Sequence, residues 1–306
     1  MSSDLRPFDV VTVDGVDVDL VLTVDGLPGP DEKLMAQLVG NLPGGPAANF
    51  ACAARRLGLN VAALAEVGDD AQGRLIVDDF AGYGVDTSLI HTRADGRTCF
   101  TVILIPPSGE KAILVVPTFV PVHPPDLMRD AFSRARLVYL MPQNHQQFMT
   151  ISEVAHACGA QVMVDIEPTV GGDAQMMARI MAGCDIASFN QFGFRTAEGV
   201  EPSLAAARRL LERGPHTVVV TLGANGALAV TRDEEAQQPG FAVEAVDTTG
   251  AGDTFNAAFV TATARGLSLA ERLRFACGAG SLAVTGMGPR GRLPTTAEVE
   301  EFLAAL

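Results

Sequence analysis

A chain of 306 residues with 48% hydrophobic side chains can bury one large core. Its formal net charge of -14 sets it against phosphate backbones and anionic bilayers, so neither nucleic acid nor membrane is an expected partner. The five cysteines (Cys52, Cys99, Cys158, Cys184, Cys277) are odd in number and form no CxxC pair, which argues against a disulfide framework or a zinc site and for reduced thiols. The start, MSSDLRPFDVV, has no basic segment leading into a long apolar run, so the cytoplasm is the expected location.

The apolar run at 10–13 predicts a buried strand. Over 16–24 apolar and acidic residues alternate, with Val16, Val18, Leu20, Leu22 and Val24 on one side and Asp17 and Asp19 on the other. Period two predicts a strand with one wet face. Pro28-Gly29-Pro30 forces a turn. An Ala-rich stretch, 49–57, stopped by Gly58, predicts a helix; a strand at 61–67 and a helix at 73–82 follow. Strands at 98–105 and 111–116, separated by Pro106-Pro107-Ser108-Gly109, predict a hairpin. From about 126 the rhythm changes. Strands at 137–140, 162–164, 186–188 and 217–222 alternate with helices at 151–158, 174–182 and 203–213. Such alternation implies a parallel sheet between helices. A hairpin within 228–246 and helices at 253–265, 269–284 and 296–306 complete the chain. The expected architecture is one doubly wound, mostly parallel α/β domain over 1–306. A small β-sheet lid is drawn from about 16–40 and 97–117.

The chemistry concentrates in 246–256, VDTTGAGDTFN, which is expected to leave a strand and open a helix at about Asp253. Gly250, Ala251 and Gly252 carry little or no side chain, so successive backbone N–H groups can converge on an anion. The helix adds its positive dipole end. Asp253 at the mouth can accept a proton from an attacking hydroxyl, and the helix terminus is expected to keep it ionised. A second motif, Gly44-Gly45-Pro46-Ala47-Ala48-Asn49, places two glycines before a helix, where a substrate can approach backbone, and an amide that can both donate to and accept from hydroxyls.

The run DTTGAGDTFNAAF closely resembles the C-terminal signature of the ribokinase-like (PfkB) family, and GGPAAN followed by Arg56-Leu57-Gly58 resembles its N-terminal signature. LAEVGDDAQG at 64–73, Tyr83 to Thr87, and Thr221-Leu222-Gly223-Ala224-Asn225-Gly226 are similar to further family segments, so the resemblance covers nearly the whole chain. It implies an ATP-dependent kinase acting on a hydroxyl of a sugar or sugar-like compound, a nucleoside being the alternative acceptor. By the same resemblance Asp253 is the base and Gly250 to Gly252 the anion hole. Asp17, Asp19, Gly44, Gly45 and Asn49 meet the substrate, with Arg97 and Gln143 as further candidates. ATP is expected along Asn190, Thr221, Gly223, Gly226, Thr249 and Gly252. Mg²⁺ is expected near Glu167 and Asp165, and K⁺ near Asp247 and Thr249 with the 285–289 loop. A homodimer through the lid is also implied.

One departure stands out. The family pattern Asn-x-x-Glu reads here Asn190-Gln191-Phe192-Gly193, so Gly193 replaces the glutamate that orders Mg²⁺ and phosphate. That replacement motivates a second hypothesis, a catalytically weak sugar sensor of the same fold. A dinucleotide oxidoreductase is disfavoured because no GxGxxG opens the first strand–helix unit.

Overall fold

β1 (Phe8–Val13) is an interior strand of a nine-stranded sheet and shows why the chain folds as it does. Val10 packs on one face while Val11 and Val13 pack on the other, the period of two that a doubly covered strand requires. The computed structural model describes residues 6–108, 111–170 and 172–306, which leaves Gly109 of the expected turn and the first five residues outside.

After β1 come β2 (Asp17–Val24), β3 (Ala36–Gly44), α1 (Pro46–Arg56), β4 (Val61–Gly68), α2 (Ala71–Tyr83) and β5 (Ile90–Arg93). The hairpin is β6 (Phe100–Ile105) and β7 (Ala112–Val116). Next are α3 (Pro125–Ser133), β8 (Ala135–Leu140), α4 (His145–Ala157), β9 (Gln161–Ile166), α5 (Ala174–Gly183) and β10 (Ile186–Asn190). The chain continues through α6 (Gln191–Glu198), α7 (Leu204–Leu211), β11 (Thr217–Thr221), β12 (Ala227–Thr231) and β13 (Glu235–Gln238). It ends in α8 (Ala251–Ala264), α9 (Leu269–Ala283) and α10 (Thr296–Ala304).

The large sheet runs β13-β12-β11-β10-β9-β8-β1-β4-β5, parallel from β11 to β5 and antiparallel at β12 and β13. One core holds α1, α2, α8, α9 and α10 against one face, and a second holds α3 to α7 against the other. Strand order reverses around β1, so a crevice opens at the carboxyl ends of β1, β8 and β9, where open α/β sheets take their ligands.

A separate four-stranded sheet, β3-β2-β6-β7, supplies the expected lid strands. It reaches Gly44 rather than stopping near 40, because β3 pairs along the whole of β2 down to Asp17↔Gly44. Three further expectations change. The hairpin after 228 ends at Gln238, and 239–250 forms no strand; this segment is tied down instead by the amides of Val246 and Asp247 on the Val284 carbonyl. The last helix of the motif begins at Ala251, so Asp253 lies within its first turn rather than at its cap. The acidic side of β2 is not a wet face: Asp19 is buried and Asp17 faces the crevice.

Candidate active site

The two signature motifs meet at one hydrogen bond. Asn49 Nδ2 donates to Asp253 Oδ2 at 2.9 Å across 204 residues of sequence, in a buried setting. α1 brings Asn49 there because Pro46 occupies its first turn and Gly45, at φ 90°, caps it. A side chain at Gly45 would collide with the Gly15 carbonyl, so the tight entry demands glycine. α8 brings Asp253 there through a second left-handed cap, Gly250 at φ 74°, pressed against the Pro289 carbonyl. The space above Gly252 is open, so the first amides of α8 can be approached from outside.

Around this bond lies a cavity of about 1130 Å³. Asp17, Asp19, Gly45, Asn49, Gln143, Glu167, Thr249, Gly250 and Asp253 line it as expected, joined by Asp14 and Glu66. Gly44 sits just beneath: a side chain there would collide with the Asp19 carboxylate. Asp19 accepts a hydrogen bond from the Thr101 hydroxyl. Asp17 Oδ1 is buried and has no partner among the described residues. Burial and the neighbouring Asp19 push Asp17 up to about 7, with Arg290 pulling the other way.

Asp253 departs from expectation. Burial lifts its carboxyl well above the ordinary carboxylate range, Asp165 and Glu167 add repulsion, and the Asn49 hydrogen bond with the Arg290 charge only moderates the rise. Burial, the largest cause, thus opposes the ionisation that the helix terminus favours.

Other expected residues fall elsewhere. Arg97 is exposed and absent from the cavity wall, offering only its carbonyl to Thr118. Asp165 is buried below the floor, where Oδ2 accepts from Tyr139 at 3.2 Å and Asn256 at 3.1 Å; burial first, then Glu167, raises it to about 7. Only Glu167 of the pair reaches the cavity. No cluster of three or more acidic, His or Cys side chains forms a metal cage among the described residues. One carboxylate of the expected pair, Glu167, facing the cavity suits Mg²⁺ that keeps its waters and arrives with phosphates.

Asn190 and Thr221 stand side by side at the ends of β10 and β11, outside the cavity wall. Asn190 Oδ1 caps α6 on the Gly193 amide at 2.7 Å. A side chain at Gly193 would collide with the Ile166 carbonyl. Position 193 is therefore a close-packing position, where the start of α6 meets the end of β9. Gly223 and Gly226 form the turn after β11, the latter closed against Gln238.

Asp247 and Thr249 already hold a cation. Lys111 Nζ lies 2.6 Å from Asp247 Oδ1 and 2.5 Å from the Thr249 hydroxyl. Burial of Asp247 opposes its ionisation, yet hydrogen bonds from Lys111, Thr249 and the Gly288 amide hold it down at about 2. Lys111 is the only Lys or Arg on the described cavity wall. Sequence reasoning missed it, and missed Arg290; the nearest signals were the start of the second lid strand and the end of the 285–289 loop. Two aromatic side chains, Phe100 and Phe119, also line the cavity.

Together, a buried carboxylate, an open helix terminus and carboxylates facing a polyol-sized crevice define a small-molecule phosphotransferase. Residues 8–296 match the model of the pfkB family of carbohydrate kinases, and the chain belongs to that family. It is 32% identical to the ribokinase of Bacillus subtilis, covering 97% of this chain and 99% of that one. It is 30% identical to the ribokinase of Haemophilus influenzae, over 94% and 96%. The structure of Arabidopsis thaliana ribokinase complexed with ribose and ATP superposes with a TM-score of 0.86 at 27% identity, covering 97% and 98%. The protein is thus a carbohydrate kinase, an ATP-dependent phosphotransferase acting on an alcohol group.

Proposed function

We propose that this kinase transfers the γ-phosphate of ATP to a hydroxyl of a neutral sugar of about pentose to hexose size, with Asp253 as general base. The observation that carries it is the Asn49–Asp253 hydrogen bond on the floor of an acidic cavity. It leaves Asp253 Oδ1 for the acceptor hydroxyl. Asp17, Asp19 and Asn49, with Gln143, take the other hydroxyls, because carboxylates accept readily from vicinal O–H donors. The backbone of Gly250, Ala251 and Gly252 stabilises the transferred phosphoryl group, where positioning and electrostatics supply most of the catalysis. ATP lies along Asn190, Thr221, Gly223, Gly226 and Thr249 toward Gly252. Glu167 would hold Mg²⁺, which would supply neutralising charge at the phosphates. The excess of carboxylates over cations disfavours an acceptor that is already phosphorylated.

The test is ADP release from Mg·ATP across sugars, sugar acids and nucleosides. Nucleosides belong in the panel because Phe100 and Phe119 line the cavity. Gly193 favours one second reading, a sensor that binds without turnover. Saturable ligand binding with no ADP released from any compound would select it.

K⁺ near Asp247 is a further proposal, resting on backbone carbonyls, since the carboxylate is engaged by Lys111. Initial rates are expected to be higher in K⁺ than in tetramethylammonium; equal rates remove the proposal. The location proposed is the cytoplasm, supported by five free cysteines. The dimer is proposed through the small sheet, whose edge strands β3 and β7 expose Leu38 (63%), Val39 (58%) and Val115 (68%). Val39→Glu is expected to shift the mass measured by light scattering from dimer to monomer. A monomeric wild type rejects the interface.

A further inference from the structure

We infer that Arg290 is a positioning residue for the catalytic base, acting through the side-chain amide of Asn49. It rests on Asp253 as that base. Arg290 is almost wholly buried, its side chain 8% exposed, and it lies behind the cavity rather than on its wall. Each end of its guanidinium is committed. Nε donates to Asn49 Oδ1 at 3.0 Å, Nη2 donates to the Gly44 carbonyl at 3.2 Å, and Nη1 is paired with the Asp79 carboxylate of α2.

The direction of these bonds carries the inference. A guanidinium only donates. Facing Nε, Asn49 must present its oxygen, and its NH₂ must then point the other way, to Asp253 Oδ2. The flipped amide would set N–H against N–H on one side and a carbonyl against a carboxylate on the other. Arg290 therefore selects the amide orientation that donates to the base, fixes which carboxylate oxygen is occupied, and leaves Oδ1 for the acceptor. The same loop places the Pro289 carbonyl against Gly250, so two adjacent residues hold the cap of α8 and the partner of its aspartate. Asp79 balances the buried charge and holds the fork in plane, which a lysine ammonium cannot reproduce.

The test is a double-mutant cycle on steady-state phosphorylation of the best sugar of the panel. Arg290→Gln is expected to lower kcat about 10²-fold, the scale of a misplacement transmitted to the reacting groups, with KM for ATP within about 3-fold of wild type. In the Asn49→Ala background the same change is expected to cost no more than about 2-fold, because the relay is already gone. Loss of a buried charge pair endangers folding. Arg290→Lys keeps the charge near Asp79 and serves as the second arm, with the same non-additivity expected. A full loss in both backgrounds shows that Arg290 does not act through Asn49 and overturns the inference. An unchanged kcat in Arg290→Gln and Arg290→Lys, while Asp253→Asn is inactive, also overturns it and leaves the base assignment standing. An active Asp253→Asn enzyme removes the base and this relay together.

Discussion

An Asp253→Asn enzyme is expected to turn over about 10³- to 10⁴-fold more slowly than the wild type, the upper range for a positioned general base. That is about 4–5 kcal/mol of barrier. The substitution is nearly isosteric, and the Asn49 N–H can still donate to the amide oxygen, so α1 and α8 stay joined. Sugar and ATP affinities, measured by calorimetry, are expected to change by no more than a few fold. A loss of binding equal to the loss of rate would make Asp253 a binding group instead. Wild-type kcat/KM has a matching signature. The base acts only when ionised, and burial raises it well above the usual carboxylate range. Activity is therefore expected to rise with pH through a limb lying above that range, and to fall as pH drops through it. That limb is absent from whatever residual rate the Asp253→Asn enzyme retains.

The raised base is also where sequence reasoning stopped short. Both motifs, and the helix terminus above Asp253, were legible because glycine spacing and residue type carry local conformation. The βα rhythm was legible for the same reason: Val10, Val11 and Val13 advertise two covered faces. Desolvation is not local. It depends on what the whole fold packs around the carboxyl, and the repulsion added by Asp165 and Glu167 depends on the end of β9 arriving beside it. Arg290 and Lys111 were illegible for a similar reason, since each acts on groups more than 130 residues away. Gly193 was read as a lost ligand. The Ile166 carbonyl, brought in by the β9–β10 pairing, shows it to be a close-packing position. Arg97 lies in the irregular stretch before β6 begins at Phe100, so no strand periodicity aims its side chain at the crevice.

The same desolvation predicts how the ligand-free enzyme responds to pH. Asp17 and Asp165 are each raised to about 7 from 3.8. A carboxyl that binds its proton more tightly folded than unfolded adds stability below about pH 4, and that contribution is lost as pH rises toward 7. Apo Tm is therefore expected to fall between about pH 5 and pH 8. Asp247, held at about 2, works in the opposite sense, but its contribution is already complete above about pH 4 and is lost only as pH falls toward about 2. Asp165→Asn isolates the effect. Its carbonyl can keep the bonds from Tyr139 and Asn256, it removes a charge that the buried network must otherwise carry at neutral pH, and it lies outside the cavity wall. At pH 8 the variant is expected to melt about 3–5 °C above the wild type, each kcal/mol being worth about 1.5 °C at this size. Its Tm is expected to vary less with pH. A lower Tm at pH 8 would show that the charged form is solvated by the folded protein after all. Saturating Mg·ATP is expected to flatten the wild-type slope, since cationic charge beside Glu167 favours ionised neighbours and binding stabilises the folded state. The expected fall of apo Tm toward neutral pH thus originates at the site itself: Asp17 on the cavity wall and Asp165 beneath it are carboxyls whose burial makes ionisation costly.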